Sequence, residues 1–210
     1  MAEIVIVDYE MGNLRSVQKA LEHIGAEARI TQDADEVARA ERIVLPGVGA
    51  FRDAIAALRQ RGLDAAVKDF IATGRPFLGI CLGLQLLFDE GLEDGRYEGL
   101  GVLAGRCVSL PRDMTGPDGR LLKVPHMGWN QLDVARRSPI LEGLVDPIEV
   151  YFVHTYVVEP EDPGVVATRT TYGAAFVSSV WRDNVMATQF HPEKSQRVGL
   201  RMLENFVNLK

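Results

Sequence analysis

The stretch Arg75-Pro-Phe-Leu-Gly-Ile-Cys-Leu-Gly-Leu-Gln-Leu-Leu-Phe88 constrains this chain more than any other. Phe77 to Ile80 is short, continuous and apolar, as a strand buried on both faces must be, and Leu82 to Phe88 then brings leucines at helical spacing. Cys81 stands at the corner between the two runs, with Gly79 two residues before it and Gly83 two residues after. A strand that turns sharply into a helix leaves no room for side chains beside the turn, and the residue at its tip is pushed outward. The pattern therefore reads Cys81 as a nucleophile. At a helix N-terminus the free N–H groups and the positive dipole end favour thiolate, and the Leu82 N–H is placed to receive a developing oxyanion. A buried core cysteine is the plainer alternative, since most lone cysteines are that.

The runs before this corner alternate in the same way. Ile4 to Val7 is apolar throughout; Asn13 then precedes Leu14, Val17, Leu21 and Ile24 at helical spacing, and Gly25 is the stop. A weak strand around Ala28 to Ile30, a short helix from about Asp35 to Ala40 and a buried strand Ile43 to Leu45 follow. Two helical segments, about Arg52 to Arg61 and Leu63 to Ala72, lead back to the cysteine strand. This predicts a parallel, doubly wound sheet whose sites lie at the carboxyl ends of its strands, in the turns after Val7, Leu45 and Ile80. The second half is strand-rich. Val102 to Leu110, Leu121 to Val124, Ile148 to Val158, Val165 to Thr171, Ala174 to Trp181 and Val185 to Phe190 are rich in β-branched and aromatic residues, with a hairpin turn at Asp183-Asn184 and a final helix near Val198 to Asn208. The expected fold is α/β: one domain over 1–210, with a parallel-to-mixed central sheet flanked by helices and extra antiparallel strands in the C-terminal half.

Composition excludes several classes. With 23 basic against 29 acidic residues, a net charge of -6 and no basic run, the chain has no footprint for nucleic acid or an anionic membrane. Two cysteines, Cys81 and Cys107, do not make a disulfide scaffold and suit a reducing compartment. The N-terminus reads as a strand without a basic leader, and no apolar run approaches the ~18 residues of a membrane span, so a cytoplasmic location is expected. The cysteines and histidines show no metal-ligand spacing.

A thiol nucleophile needs a base, and His23, His126, His154 and His191 compete for that role. His23 falls in the first helix and His154 in an apolar strand, and neither has an acid in step. His191 follows a strand directly and stands two residues before Glu193, so an extended backbone would point both side chains the same way. Glu193 can then fix the imidazole tautomer while the other ring nitrogen serves Cys81. A loop carrying a surface ion pair is the alternative. In the turn after Leu45, Gly47-Val-Gly49 lacks the lysine of a phosphate loop, but glycine there lets backbone approach a substrate, with the Val48 N–H as a second oxyanion donor.

Two separated stretches, Gly79-Ile-Cys-Leu-Gly-Leu-Gln85 and Gln189-Phe-His-Pro-Glu-Lys194, resemble the class I (triad) glutamine amidotransferases. Asp8-Tyr-Glu-Met-Gly-Asn13, Pro46-Gly-Val-Gly-Ala-Phe51, Val124-Pro-His-Met-Gly-Trp-Asn130 and Tyr151-Phe-Val-His-Thr-Tyr156 narrow the resemblance to the HisH family, the glutaminase subunits of imidazole glycerol phosphate synthases. The resemblance implies hydrolysis of L-glutamine to L-glutamate and ammonia without a cofactor, and a heterodimer with a TIM-barrel cyclase, HisF, that uses the ammonia in histidine biosynthesis. By motif, Cys81 is nucleophile, His191 base and Glu193 its orienter. Gln85, Glu93, Thr155 and Tyr156, with Gly47 and Gly49, hold the glutamine, and the resemblance favours a loop Met127-Gly-Trp129-Asn130 with Lys194 as the partner rim, over a tryptophan that caps the core at a strand end. A subunit serving another acceptor, of the anthranilate or aminodeoxychorismate synthase type, and a stand-alone cysteine hydrolase are the other readings. The first expected outcome is chemical: iodoacetamide labels Cys81 far faster than Cys107, which lies in an apolar strand with no base in reach, and peptide mapping that found equal labelling would contradict the assignment.

Overall fold

The computed structural model describes residues 3–209, so the two ends of the expected 1–210 span lie outside the described residues. Its first half is the alternation that the sequence predicts: β1 (Glu3–Val7), α1 (Leu14–His23), β2 (Glu27–Thr31), α2 (Ala34–Arg39), β3 (Arg42–Gly47), α3 (Phe51–Gln60), α4 (Leu63–Ala72) and β4 (Phe77–Cys81). Asn13 caps α1 by accepting from the Ser16 N–H, and Asp33 caps α2 by accepting from the Asp35 and Glu36 N–H groups. β1 pairs with β2 and β3, and β3 with β4, all parallel. Ile4 to Val7, Ile43 to Leu45 and Phe77 to Ile80 are apolar and buried because helices cover both faces of the sheet, whereas β2 at its edge alternates with Glu27, Arg29 and Thr31.

After Cys81 the chain departs from expectation. The helix α5 (Leu82–Gln85) is a single turn, and the leucine run continues into β5 (Phe88–Gly91) instead of extending the helix to Phe88. Leu82, Leu84, Leu86, Leu87 and Phe88 are all buried. A run that is apolar on every side has no amphipathic face to select helix, and pairing of β5 with a later strand decides the conformation. A full helix dipole is therefore absent behind Cys81, which removes that part of the argument for its activation.

The second half contains β6 (Tyr97–Glu98), β7 (Leu103–Ser109), β8 (His126–Val134), β9 (Ile148–His154), β10 (Tyr156–Pro160), β11 (Val166–Tyr172), β12 (Ala174–Arg182), β13 (Val185–Thr188) and α6 (Gln196–Val207). The expected strand at Leu121 to Val124 reduces to one isolated bridge, Thr115 to Leu121. The strand forms instead at His126, so Met127 to Asn130 is not a loop. Met127 and Trp129 point outward and His126 and Leu132 inward, the period of two that a half-buried strand requires. The run Ile148 to Val158 is broken at Thr155 into β9 and β10.

The sheet runs β2-β1-β3-β4-β13-β12-β10-β7-β5-β6, with β11 joining β12 to a β8–β9 pair. β13 returns parallel to β4, with Thr188 opposite Ile80, while Gly47 at the end of β3 lies opposite Cys81. Three neighbouring parallel strands therefore end at one level. No helix among the described residues is long and apolar enough to cross a membrane.

Candidate active site

Cys81 occupies a left-handed backbone conformation, φ +56° and ψ -107°, which a side chain rarely adopts and which turns the strand abruptly into α5. The flanking glycines make the turn sterically feasible. A Cβ on Gly83 would sit 1.8 Å from the Leu45 carbonyl oxygen, and one on Gly79 would sit 2.9 Å from the Gly83 carbonyl oxygen. The elbow expected from the sequence is thus present, built by close packing and strain rather than by a long helix.

The cysteine faces a cavity of about 300 Å³ whose lining includes Val48, Gly49, Leu82, Gln85, Glu93, His154, Thr155 and Tyr156. Most of the residues expected to hold a substrate therefore share one hollow. Gly47 is buried directly beside Cys81, with the Tyr9 hydroxyl over it donating to the Pro46 carbonyl at 2.9 Å. The Glu93 carboxylate accepts from the Phe51 N–H at 2.7 Å, which ties the lining of the cavity to the start of α3. A larger groove of about 1050 Å³, lined by Arg112, Arg120 and Lys123 among others, shares Pro125 and Thr155 with this cavity and contains no cysteine or histidine. No cluster of His, Cys, Asp or Glu among the described residues could hold a metal ion.

His191 comes to the cysteine from the end of β13. Its backbone N–H donates to the Tyr151 carbonyl at 3.0 Å, and the Ser195 hydroxyl donates to its carbonyl at 2.7 Å, so the ring is carried on a fixed main chain. His191 Nδ1 bonds to Glu193 Oε1 at 2.8 Å, and both side chains are almost completely buried. The backbone between them is not extended, as the sequence suggested, but a single 3-10 turn started by Pro192; the turn brings the two groups together all the same. His191 Nε2 is buried without a formed hydrogen bond. Burial alone would lower the His191 pKa, but the nearby Cys81 and the bonded Glu193 outweigh it and raise the value to about 9. The ring therefore retains its proton at neutral pH. Cys107 is buried in β7, and burial pushes its thiol well above the usual range.

Three polar features escaped the sequence reading. Gln189, fully buried, donates from Nε2 to Cys81 Sγ at 3.6 Å and accepts on Oε1 from Gln85 Nε2 at 3.2 Å. His126 and His154 form a second buried pair, with Nδ1 of His126 and Nε2 of His154 3.0 Å apart. The third is Tyr9, described above. For Gln189 the signal was a polar side chain at the end of an otherwise apolar strand.

The family model described as glutamine amidotransferase class-I matches residues 5–209. The chain belongs to the class-I glutamine amidotransferase family. It is 58% identical over 203 residues to the imidazole glycerol phosphate synthase subunit HisH of Syntrophotalea carbinolica, covering 97% of this chain and 98% of that one. It is 52% identical over 210 residues to the subunit of the same name from Geobacter sulfurreducens, covering 100% of both. A solved structure described as a glutamine amidotransferase matches with a TM-score of 0.73 at 23% identity, covering 98% of this chain and 99% of that one. PurLQS from Thermotoga maritima matches at 0.76 and 20% identity, covering 99% of each chain. These two structures share the amidotransferase fold with this chain.

The second histidine pair yields a pH prediction. Tyr156 O can only accept, so His154 Nδ1 carries the proton donated to it at 3.0 Å; His154 Nε2 then accepts from His126 Nδ1, and His126 Nε2 faces the Asn130 amide at 3.4 Å. Both rings are neutral. Burial lowers His126 from 6.5 to about 4, and burial with the neighbouring His126 lowers His154 to about 3. Below 6.5 the unfolded chain binds protons that the folded chain refuses, so this stability is complete above pH 6.5 and is lost as pH falls through about 4. Urea midpoints should fall between pH 6.5 and 5, before most carboxylates titrate, and fall less steeply in His126→Gln; equal slopes would contradict the assignment.

Proposed function

We propose that this chain is the glutaminase subunit of an imidazole glycerol phosphate synthase, hydrolysing L-glutamine to L-glutamate and ammonia and passing the ammonia to a cyclase partner. The observation that carries this reading is the buried His191–Glu193 pair beside a strained Cys81, in a chain that matches HisH subunits from end to end. Cys81 attacks the side-chain amide carbon, and the N–H groups of Leu82 and Val48 receive the tetrahedral oxyanion. His191, protonated at neutral pH, gives its proton to the departing ammonia; Glu193 holds the ring and balances the imidazolium charge. A glutamyl thioester remains, and water that gives up a proton to His191 cleaves it. Gln85, Glu93, Thr155 and Tyr156 surround the substrate, with Gly49 letting the backbone come close; Gly47 lies outside the lining, its lack of a side chain making room for Tyr9 instead.

Ammonia released into water would be protonated and lost, so a partner has to cover the carboxyl edge of the sheet where Cys81 opens. The partner in this reading is the TIM-barrel cyclase HisF. Met127 and Trp129, 62% and 48% exposed on the outer face of β8, give the rim a large apolar anchor, and Lys194 sits beside the triad acid. The Asn130 amide instead turns inward, donating to the Thr171 carbonyl at 3.0 Å, so its part in the rim is to brace the strand.

Two outcomes test this division of labour. Cys81→Ala abolishes glutamine-dependent synthesis by the complex but leaves synthesis from ammonium salts; loss of the ammonium-dependent reaction in an assembled complex would sink the reading. Trp129→Ala weakens cyclase binding by about 2 kcal/mol or more and lowers partner-stimulated glutaminase activity. In calorimetric titration, unchanged affinity with a large fall in melting temperature would instead make Trp129, which packs edge-on against Tyr151, a structural residue.

A further inference from the structure

The Cys81 sulfur has a polar neighbour besides the histidine. Gln189 Nε2 lies 3.6 Å from Sγ, within hydrogen-bonding range for sulfur, and the side chain is 0% exposed. The direction of this amide is fixed by its surroundings. Gln85 Nε2 donates to the Tyr156 carbonyl at 3.3 Å and to Gln189 Oε1 at 3.2 Å. Turning the Gln189 amide over would set its N–H group against the Gln85 N–H, a donor facing a donor in a buried site, so the Gln85 bond fixes Nε2 toward the sulfur. The Gln189 backbone is equally held: its N–H donates to the Ser178 carbonyl at 2.8 Å, one residue beyond the point where β13 pairs with β4.

We infer that Gln189 is a further catalytic residue, a permanent hydrogen-bond donor that stabilises Cys81 as thiolate and aims the sulfur into the cavity. The inference rests on the reading of Cys81 as nucleophile. Gln189 complements His191, because an amide cannot give up its proton: when His191 has passed its proton to ammonia, Gln189 still faces the sulfur as a donor. It acts twice in the cycle. It stabilises the thiolate before attack and again when water breaks the thioester, as the electron pair of the C–S bond returns to sulfur and His191 takes the proton from water. The single-turn α5 gives this donor more to do, since little helix dipole stands behind the cysteine.

The test is the pH profile of iodoacetamide alkylation of Cys81 in the full chain, read beside glutaminase kinetics of the complex. In Gln189→Met, which keeps the length of the side chain and removes the donor, alkylation at pH 7 falls roughly tenfold or more and converges with wild type at alkaline pH, where the thiol ionises without help. The kcat for glutamine falls by a similar factor while KM changes little. Gln189→Glu keeps the shape and an acceptor for Gln85 but sets a negative charge against sulfur, so its alkylation at pH 7 falls at least as far; it carries the test if Gln189→Met does not fold. Folded variants with the wild-type alkylation profile would overturn the inference, as would a uniform fall at all pH values, the mark of altered access. Failure of the wild-type complex to hydrolyse glutamine would sink the broader reading of function but leave the alkylation comparison intact.

Discussion

The site depends on one register: β3, β4 and β13 lie side by side, parallel, with Gly47 opposite Cys81 and Thr188 opposite Ile80. Because parallel strands that end together deliver their following residues to one edge, the Val48 turn, the cysteine elbow and the segment Gln189 to His191 meet without any long loop. A slip of one residue would turn every side chain on the moved strand to the other face, and both faces are packed, so the register is strongly enforced. The elbow adds a second constraint. The first turn of α5 passes so close under β3 that nothing larger than glycine fits at position 83.

Much of this was legible in the sequence, and the reasons differ by element. The parallel strands were readable because burial on both faces demands continuous apolar runs, and the pairing of His191 with Glu193 because their spacing in the sequence lets the two side chains meet. The failures share a cause. Leu82 to Phe88 is apolar on all sides, so spacing could not choose between helix and strand, and pairing with β7 chose. β8 begins at His126 with polar and glycine residues that resemble a loop, and only its pairing with β9 makes it a strand. Gln189 opens the motif that carries His191, but its contact with sulfur appears only when a parallel neighbour brings Cys81 beside it.

The three buried histidines show what distinguishes a reactive ring from a structural one. His126, His154 and His191 are 2%, 5% and 3% exposed, and burial disfavours the charged form of each. For His126 nothing opposes it, and for His154 the hydrogen bond to the Tyr156 carbonyl does so too weakly to prevail. Their partners are each other, a backbone carbonyl and an amide, all neutral, and their values fall to about 4 and 3. His191 meets the same burial, but with a carboxylate bonded to one nitrogen and a thiol near the other, its value rises to about 9. The rise at His191 comes from Cys81 and Glu193, whereas His154 is lowered further by the neighbouring imidazoles. A histidine so placed favours its protonated form, while the neutral pair joins β8 to β9. Contact with Cys81 and with the acid two residues beyond the histidine is thus what separates this buried imidazole from the neutral pair.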